Sequence, residues 1–511
     1  MIESPAGAPD ASERSPAPPG HAAPAAGAGR AWHVAGAAAL FVGVAGLLQL
    51  VGAAPYDADT AYHVAVGRLL AEHGILHAFP WTPFSWLSDH YADKELLFHL
   101  LLAPLAPLGW VAAAKLAGAA LGGLALLVLF LVLRAERVPR AAIWALVPLA
   151  ASAAFAVRFA LVRPHLLSIA LALAVTWAAA RERNALLAGL AFLYPWCYVA
   201  WHLPLVLVAL VEVARLLSGR RAVWRPLAAV ILGVAAGVAV HPNAANLARL
   251  WWLVHVEILG RTAWAGKAGF ELGGEFAAWG WSDFLRFALP PAAMALAAAA
   301  LAWRGRARDP VPLAFAGAAL AFLGLTAVSQ RFIEYLAPFA VAALALAVRE
   351  RARLLAAATL AASFVFTAAF ADRLVLRLQD RIEDVSPMLA SYLRRRIPPG
   401  DQVFTCDWGL TGALMWALPE RRFIVALDPV LFHARDPELY RVWYELPRTG
   451  PADARAVIRS RFGARWAICW AREDSMPLLS RLQADPGVRT ILDGPRWWFF
   501  DLKPERDADG P

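Results

Sequence analysis

From Ala31 to Phe370 apolar residues run in long blocks separated by short charged stretches. A block of about 20 residues crosses a hydrocarbon core about 30 Å thick at about 1.5 Å rise per residue. The blocks fall near 31–53, 110–133, 141–157, 164–180, 184–200, 203–217, 226–241, 284–303, 311–328, 332–348 and 353–371. This pattern predicts a polytopic α-helical membrane bundle of about eleven transmembrane helices, several of them short. Five arginine groups punctuate it: Arg134, Arg137 and Arg140; Arg181 and Arg183; Arg215, Arg220, Arg221 and Arg225; Arg304, Arg306 and Arg308; Arg349, Arg351 and Arg353. The positive-inside bias makes those loops cytoplasmic, which puts the loop 54–109, the loop 242–283 and everything after Asp372 on the opposite side.

The two ends break the pattern. Residues 1–30 are mostly Ala, Pro and Gly, a composition that buries too little apolar surface to fold and predicts a disordered cytoplasmic tail. No basic region runs straight into a short apolar core, so a signal peptide is not expected. The membrane domain is then 31–371. From 372 to 511 charges are spread throughout, predicting a soluble extracytoplasmic domain of about 140 residues. Strands are expected over Gln402–Cys406, Arg422–Leu427, Trp466–Trp470, Val488–Leu492 and Trp497–Leu502. Helices are expected near Leu410–Ala417, Pro437–Leu446, Ala452–Phe462 and Met476–Ala484, giving a C-terminal α/β domain with a sheet of about five strands.

Composition agrees with the membrane reading, at 60% hydrophobic and 17% charged. The net charge of +9 sits largely in the arginine loops, leaving no basic patch with interleaved aromatics and hence no nucleic-acid partner. No Gly-rich phosphate loop is present, which argues against a nucleotide donor. Cys197, Cys406 and Cys469 lack ligand spacing and are expected to be buried thiols, not a zinc site or a disulfide framework.

Candidate chemistry collects on the outer side. Pro55-Tyr-Asp57-Ala-Asp59-Thr-Ala-Tyr-His63 follows the first span directly. Asp57 and Asp59 are the candidate catalytic carboxylates, able to take a proton from an acceptor hydroxyl or to share a divalent cation such as Mg or Mn. The plainer reading makes the stretch a turn in which Asp59 caps the next helix. That helix, Ala61–His73 with Gly74 as its stop, reads as amphipathic and interfacial, and would set His63 one turn beyond Asp59. Phe79–Trp86 reads as an aromatic segment at headgroup level. A second short helix is expected from Asp93 to Leu102, carrying Lys94 and Glu95 and broken by Pro104 and Pro107; the plain reading of Lys94 and Glu95 is an interfacial ion pair. Arg158, Arg163 and Arg331 stand at outer boundaries that the positive-inside bias disfavours, and guanidinium groups match phosphate oxygens. Headgroup snorkelling is their plainer alternative. His63, which could orient or protonate a shared ligand, and Glu95 join His165, His202 and His241 as further candidate substrate-binding residues of the outer polar set. Cys406-Asp407-Trp408-Gly409 and Asp428-Pro429 sit at strand ends, where open α/β sheets place binding groups.

These residues resemble the C-type (GT-C) integral membrane glycosyltransferases, the superfamily of oligosaccharyltransferases, protein mannosyltransferases and lipid-A aminoarabinose transferases. Asp57-Ala-Asp59 with Tyr62-His63 and Gly67-Arg68 looks like the family's first-loop pattern. Asp93-Lys-Glu95-Leu96 and Arg163-Pro-His165 are similar to elements of bacterial members. Phe404-Thr-Cys-Asp407-Trp-Gly409 is similar to the tryptophan-aspartate-glycine element heading the soluble domain of oligosaccharyltransferases, but lacks its paired tryptophans. The resemblance implies an inverting transfer of a sugar from a polyprenyl-phosphate donor to a lipid, glycan or protein acceptor, on the outer face of a bacterial cytoplasmic membrane. It implies Asp57 or Asp59 as the carboxylate that acts as base or holds a metal, with Arg163 and Arg331 gripping the phosphate. The alternative is a transporter or binding protein for a polyprenyl-linked glycan. A transporter is expected to show polar groups near the midplane and repeat symmetry, and the sequence shows neither.

Overall fold

A computed structural model of the chain describes residues 26–52, 57–258, 260, 273–306, 309–370 and 385–502, with side chains from residue 31 onward. The expected tail up to residue 25, Pro55 and Tyr56, part of the second outer loop (261–272), the expected domain boundary (371–384) and 503–511 lie outside the described residues.

A helix occupies each expected apolar block. The first begins at Ala26, inside the stretch expected as tail. Among the described residues, six helices are long and apolar enough to cross a membrane, and up to eight if each of two bent helix pairs forms one span. The chain is thus a multi-pass membrane protein, and a figure of eleven depends on counting shorter helices such as His165–Ala180 and Asn184–Cys197 as well. Glycines let some of these helices touch backbone to backbone. A Cβ at Gly233 or Gly237 would collide with the Ala188 or Phe192 carbonyl, so this four-residue spacing on Trp224–Ala239 seats it directly on Asn184–Cys197.

One bend matters for where the candidate arginines fall. The expected span 141–157 is broken at Ser152, whose extended backbone ends Ala141–Ala151 and starts Ala153–Ala160 at 99° to it. Ser152 Oγ accepts from Phe155 N at 3.1 Å and donates to the Phe287 carbonyl at 2.6 Å, which satisfies the break. The second half of the pair ends in Arg158 and leads to Arg163.

The C-terminal region carries a five-stranded sheet of order β2-β1-β3-β5-β4, with β1 Gln402–Thr405, β2 Arg422–Phe423, β3 Trp466–Trp470, β4 Arg489–Asp493 and β5 Trp497–Asp501. β1 runs parallel to β2 and β3, and β5 is antiparallel to β3 and β4. The strand expected to reach Leu427 pairs only at Arg422 and Phe423, and Asp428 then turns through φ +62°. Pro387–Arg396 and Pro429–Arg435 form helices that the periodicity did not announce, each with proline in its first turn. The expectation of free thiols fails at two of three cysteines: Cys406 and Cys469 form a disulfide, and only Cys197 is a buried free thiol. The parallel register Thr405↔Ile468 sets the next residues of β1 and β3 side by side, with Cα atoms 5.2 Å apart. Sequence spacing could not show that, because the two cysteines are 63 positions apart.

The segment between the first and second long helices, expected as the first outer loop, is the joint between the helical bundle and the C-terminal region. Its helix, Ala58–His73, does not lie exposed at an interface; it is buried from Thr60 to Gly67 and again at Leu69 and Leu70, between Leu96–Leu108 and the domain helix Thr411–Ala417. At Gly412 a Cβ would meet Tyr62 N at 2.7 Å and the Ala58 carbonyl at 2.9 Å, so only glycine permits this crossing. The aromatic segment, expected at headgroup level, docks the domain instead. Trp81 Nε1 donates to the Pro419 carbonyl at 2.6 Å, the Trp81 carbonyl accepts from Phe423 N at 2.7 Å, and Phe84 packs on Phe432 and Phe462. The second short helix starts later than expected, at Leu96, leaving Lys94 ahead of it and Glu95 as its N-cap residue. Pro104 and Pro107 do not stop it at once; they convert it to a 3-10 turn over Ala103–Leu108.

Candidate functional site

Asp57, not Asp59, caps the helix. Its Oδ1 accepts from Thr60 N at 2.7 Å and Thr60 Oγ1 at 2.5 Å, while Oδ2 accepts from Arg163 Nε. Asp59, in the first turn, faces the same guanidinium, with Oδ2 3.0 Å from Arg163 Nη2. Its other oxygen, Oδ1, is buried without a hydrogen-bond partner among the described residues. Burial pushes the Asp59 carboxyl up to about 7, against the pull of Arg163.

Arg163 extends the site across the bundle. Its Nη1 reaches Glu275 Oε2 at 3.0 Å, an oxygen that also accepts from Arg158 Nη1 at 2.9 Å, and the other Glu275 oxygen accepts from Arg331 Nη1 at 3.1 Å. Three guanidinium groups therefore converge on one carboxylate. Burial disfavours its charge, but Arg331, Arg163 and Arg158 together hold the Glu275 carboxyl well below the usual range. Glu334 supports the group from below, accepting from Arg158 Nε at 2.8 Å, and Tyr198 Oη accepts from Arg331 Nη2 at 2.9 Å. His165 Nε2 donates to the Arg158 carbonyl at 2.8 Å. Arg158 Nη2 and His165 Nδ1 are buried donors or acceptors without a partner among the described residues.

His63 and Glu95 belong to a second group. His63 Nδ1 lies 2.8 Å from His99 Nε2, and His99 Nδ1 lies 2.8 Å from both Asp93 oxygens. Burial holds the His63 imidazole well below its ordinary pKa; burial also disfavours the charge on Asp93, but His99, the Glu95 backbone N–H and His241 together keep that carboxyl below its ordinary value. Lys94 bridges Glu95 at 3.1 Å and Asp428 of the C-terminal domain at 3.0 Å. Tyr62, Tyr91, Lys94, Glu95, His99 and Asp428 line a cleft here.

The remaining candidates lie apart from the aspartates. His241 Nδ1 accepts from Asn243 N at 3.1 Å and its ring packs on Trp196; the Asn243 side chain holds Asp93 N, which places His241 at the edge of the second group. His202 accepts from Trp251 Nε1 at 3.0 Å in an aromatic group with His255. Asp407 accepts from Gly409 N at 2.5 Å and from Arg472 Nη1 at 3.0 Å, and a Cβ at Gly409 would come within 3.6 Å of the Ala58 Cβ at the head of the loop helix.

Sequence reasoning missed Glu275, Glu334, Tyr198 and His99. Glu334 carried a usable signal, being a carboxylate three residues after Arg331 at the head of an apolar helix. Glu275 carried little, as one acid in a glycine-rich loop. A cation at Asp57 and Asp59 would have to displace Arg163, since both oxygens of Asp57 and one of Asp59 are engaged. Among the described residues, the group that could together hold a metal is His63, Glu95 and His99.

No family model matches the chain, and no curated protein matches it. Solved structures do. The archaeal oligosaccharyltransferase AglB from Archaeoglobus fulgidus, in complex with an inhibitory peptide and a dolichol-phosphate, aligns with a TM-score of 0.57 and 11% identity over 86% of this chain and 70% of its own. ArnT from Cupriavidus metallidurans in the apo state aligns with a TM-score of 0.53 and 14% identity over 92% of this chain and 98% of its own. The fold is that of C-type membrane glycosyltransferases: a polytopic helical bundle with a C-terminal α/β domain.

Proposed function

We propose that the chain is a membrane glycosyltransferase that moves a sugar from a polyprenyl-phosphate donor to a hydroxyl acceptor on a lipid, glycan or protein. The observation that carries this is the convergence of Arg158, Arg163 and Arg331 on Glu275 beside Asp59 and its unpartnered oxygen. Three guanidinium groups around one pair of oxygens are the geometry a phosphate requires, so the donor phosphate takes the place of the Glu275 carboxylate. Asp59 accepts the proton of the acceptor hydroxyl, and the acceptor oxygen bonds to the anomeric carbon from the face opposite the phosphate. The carbon–oxygen bond to phosphate breaks, its electron pair leaves on the phosphate, and the arginines neutralise that charge. The anomeric centre inverts. Asp57 caps the helix and holds Arg163, a positioning role.

The dolichol-phosphate bound by AglB is a polyprenyl phosphate, which makes this donor class the natural one for a chain of the same fold. The division into a membrane part to residue 371 and an outward domain from 372 is part of the proposal, as is the sidedness. It places the N-terminus in the cytoplasm and the Cys406–Cys469 disulfide in an oxidising compartment, where such bonds persist.

The test is transfer from a purified polyprenyl-phosphate sugar by the detergent-solubilised protein. Asp59→Asn is expected to lose about 10²–10⁴-fold in kcat while still binding polyprenyl phosphate. Turnover by Asp59→Asn at the wild-type rate would overturn the assignment of the base. Translocation of the lipid-linked sugar by that variant, without transfer by either protein, would favour a transporter.

A further inference from the structure

The geometry points to a transition-metal site of the zinc class formed by His63, Glu95 and His99, distinct from the arginine group around Asp59. One ligand atom from each of the three lies within 4.8 Å of the others, and all three residues are buried. His99 is aimed by its partner: Asp93 takes Nδ1 at 2.8 Å, leaving Nε2 turned toward His63. A carboxylate behind a histidine in this way fixes the tautomer and raises the basicity of the ligating nitrogen. His63 is fixed as well, with its ring edge-on to Phe98 at 5.1 Å between centroids. The two imidazole nitrogens face each other at 2.8 Å, so one proton is shared between them, and a cation replaces that proton after a small separation of the rings.

Glu95 supplies the third ligand without stranding its neighbour. Lys94 now binds Glu95 and Asp428 together, so it keeps Asp428 when Glu95 turns to a metal. Two imidazoles and one carboxylate suit zinc and its neighbours, whereas magnesium prefers oxygen donors only. Three protein ligands leave a fourth position open, and the adjoining cleft is lined by Tyr62, Tyr91, Lys94 and Asp428. The open position takes an oxygen donor, water or a hydroxyl of a bound molecule. His63 is on the same helix as Asp59, one turn on, so the metal also fixes that helix against the segment Asp93–His99.

The full-length protein in detergent, stripped of metals, is titrated with Co²⁺ alone and read by its visible d–d bands. One equivalent per chain is expected, displaced by Zn²⁺ and not by excess Mg²⁺. The bands disappear in Glu95→Gln and His99→Gln, survive in Asp59→Asn, and require about 10–100-fold more metal in Asp93→Asn. Glu95→Gln keeps the side-chain shape, so it decides the matter even where His99→Gln fails to fold. Absence of stoichiometric binding by the wild type, or unchanged bands in Glu95→Gln, would overturn the site, and neither outcome touches the assignment of Asp59.

Discussion

Asp57 and Asp59 share one guanidinium but not one environment. Asp57 spends both oxygens on the helix cap and Arg163, whereas Asp59 keeps a buried oxygen without a partner and a carboxyl raised to about 7. In the proposed reaction the ionised form is the base, so turnover is expected to rise with pH through about 7, and this limb should vanish from the residual activity of Asp59→Asn. Stability runs the other way. Between the ordinary value near 3.8 and about 7 the folded protein holds a proton at Asp59 that the unfolded chain has lost, so this group's contribution falls as pH rises through that window. Thermal unfolding of the wild type should show a decline with pH that is shallower in Asp59→Asn. Glu275 makes a second prediction at this scale. Glu275→Gln leaves three guanidinium groups without their shared carboxylate, and is expected to lower the melting temperature by several degrees, with polyprenyl phosphate restoring most of the loss. Failure of the lipid to restore it would count against a phosphate in that position.

The decisive element is the helix Ala58–His73. Its end at Gly74 was legible in the sequence, but its start was not: the cap was expected at Asp59 with the helix from Ala61, whereas Asp57 caps a helix that begins at Ala58 and carries Asp59 in its first turn. Its burial was not legible, because Val64, Leu69 and Leu70 against Arg68 and Glu72 describe a half-exposed helix equally well. What buries the remaining face is Thr411–Ala417, some 350 positions away in the chain, and it can do so only because Gly412 has no side chain. Gly412→Ala sets a methyl group against backbone atoms that cannot rotate away. It is expected to cost about 1–3 kcal/mol, read by thermal unfolding, and to depress transfer by moving Asp59 relative to Arg163. The bend at Ser152 is another case: the apolar block 141–157 looked continuous, and one capping hydroxyl turned its second half to deliver Arg158.

At the scale of the molecule, the C-terminal region and the loop between the first two long helices are held by Trp81 to Pro419 and Phe423, Lys94 to Asp428, and Arg435 to Asp89. The disulfide lies on the domain side of this joint, next to the Asp407–Gly409 turn that faces Ala58. Replacing Cys406 and Cys469 by serine is expected to cost about 2–4 kcal/mol, visible as a lower melting temperature under oxidising conditions and no difference from reduced wild type. The sequence alone determined the membrane-spanning character and the helical blocks, because hydrophobic length and arginine spacing act locally along the chain. It also determined most of the domain's strands and helices and the types of residue used for chemistry, for the same reason. Only the tertiary structure decided which of those residues meet. Arg158 and Arg163 on one segment, Glu275 on a second and Arg331 on a third are brought together by helix packing, and the parallel register of β1 and β3 pairs the cysteines. A contact between distant segments is paid for by the packing of everything between them, and no local pattern records it.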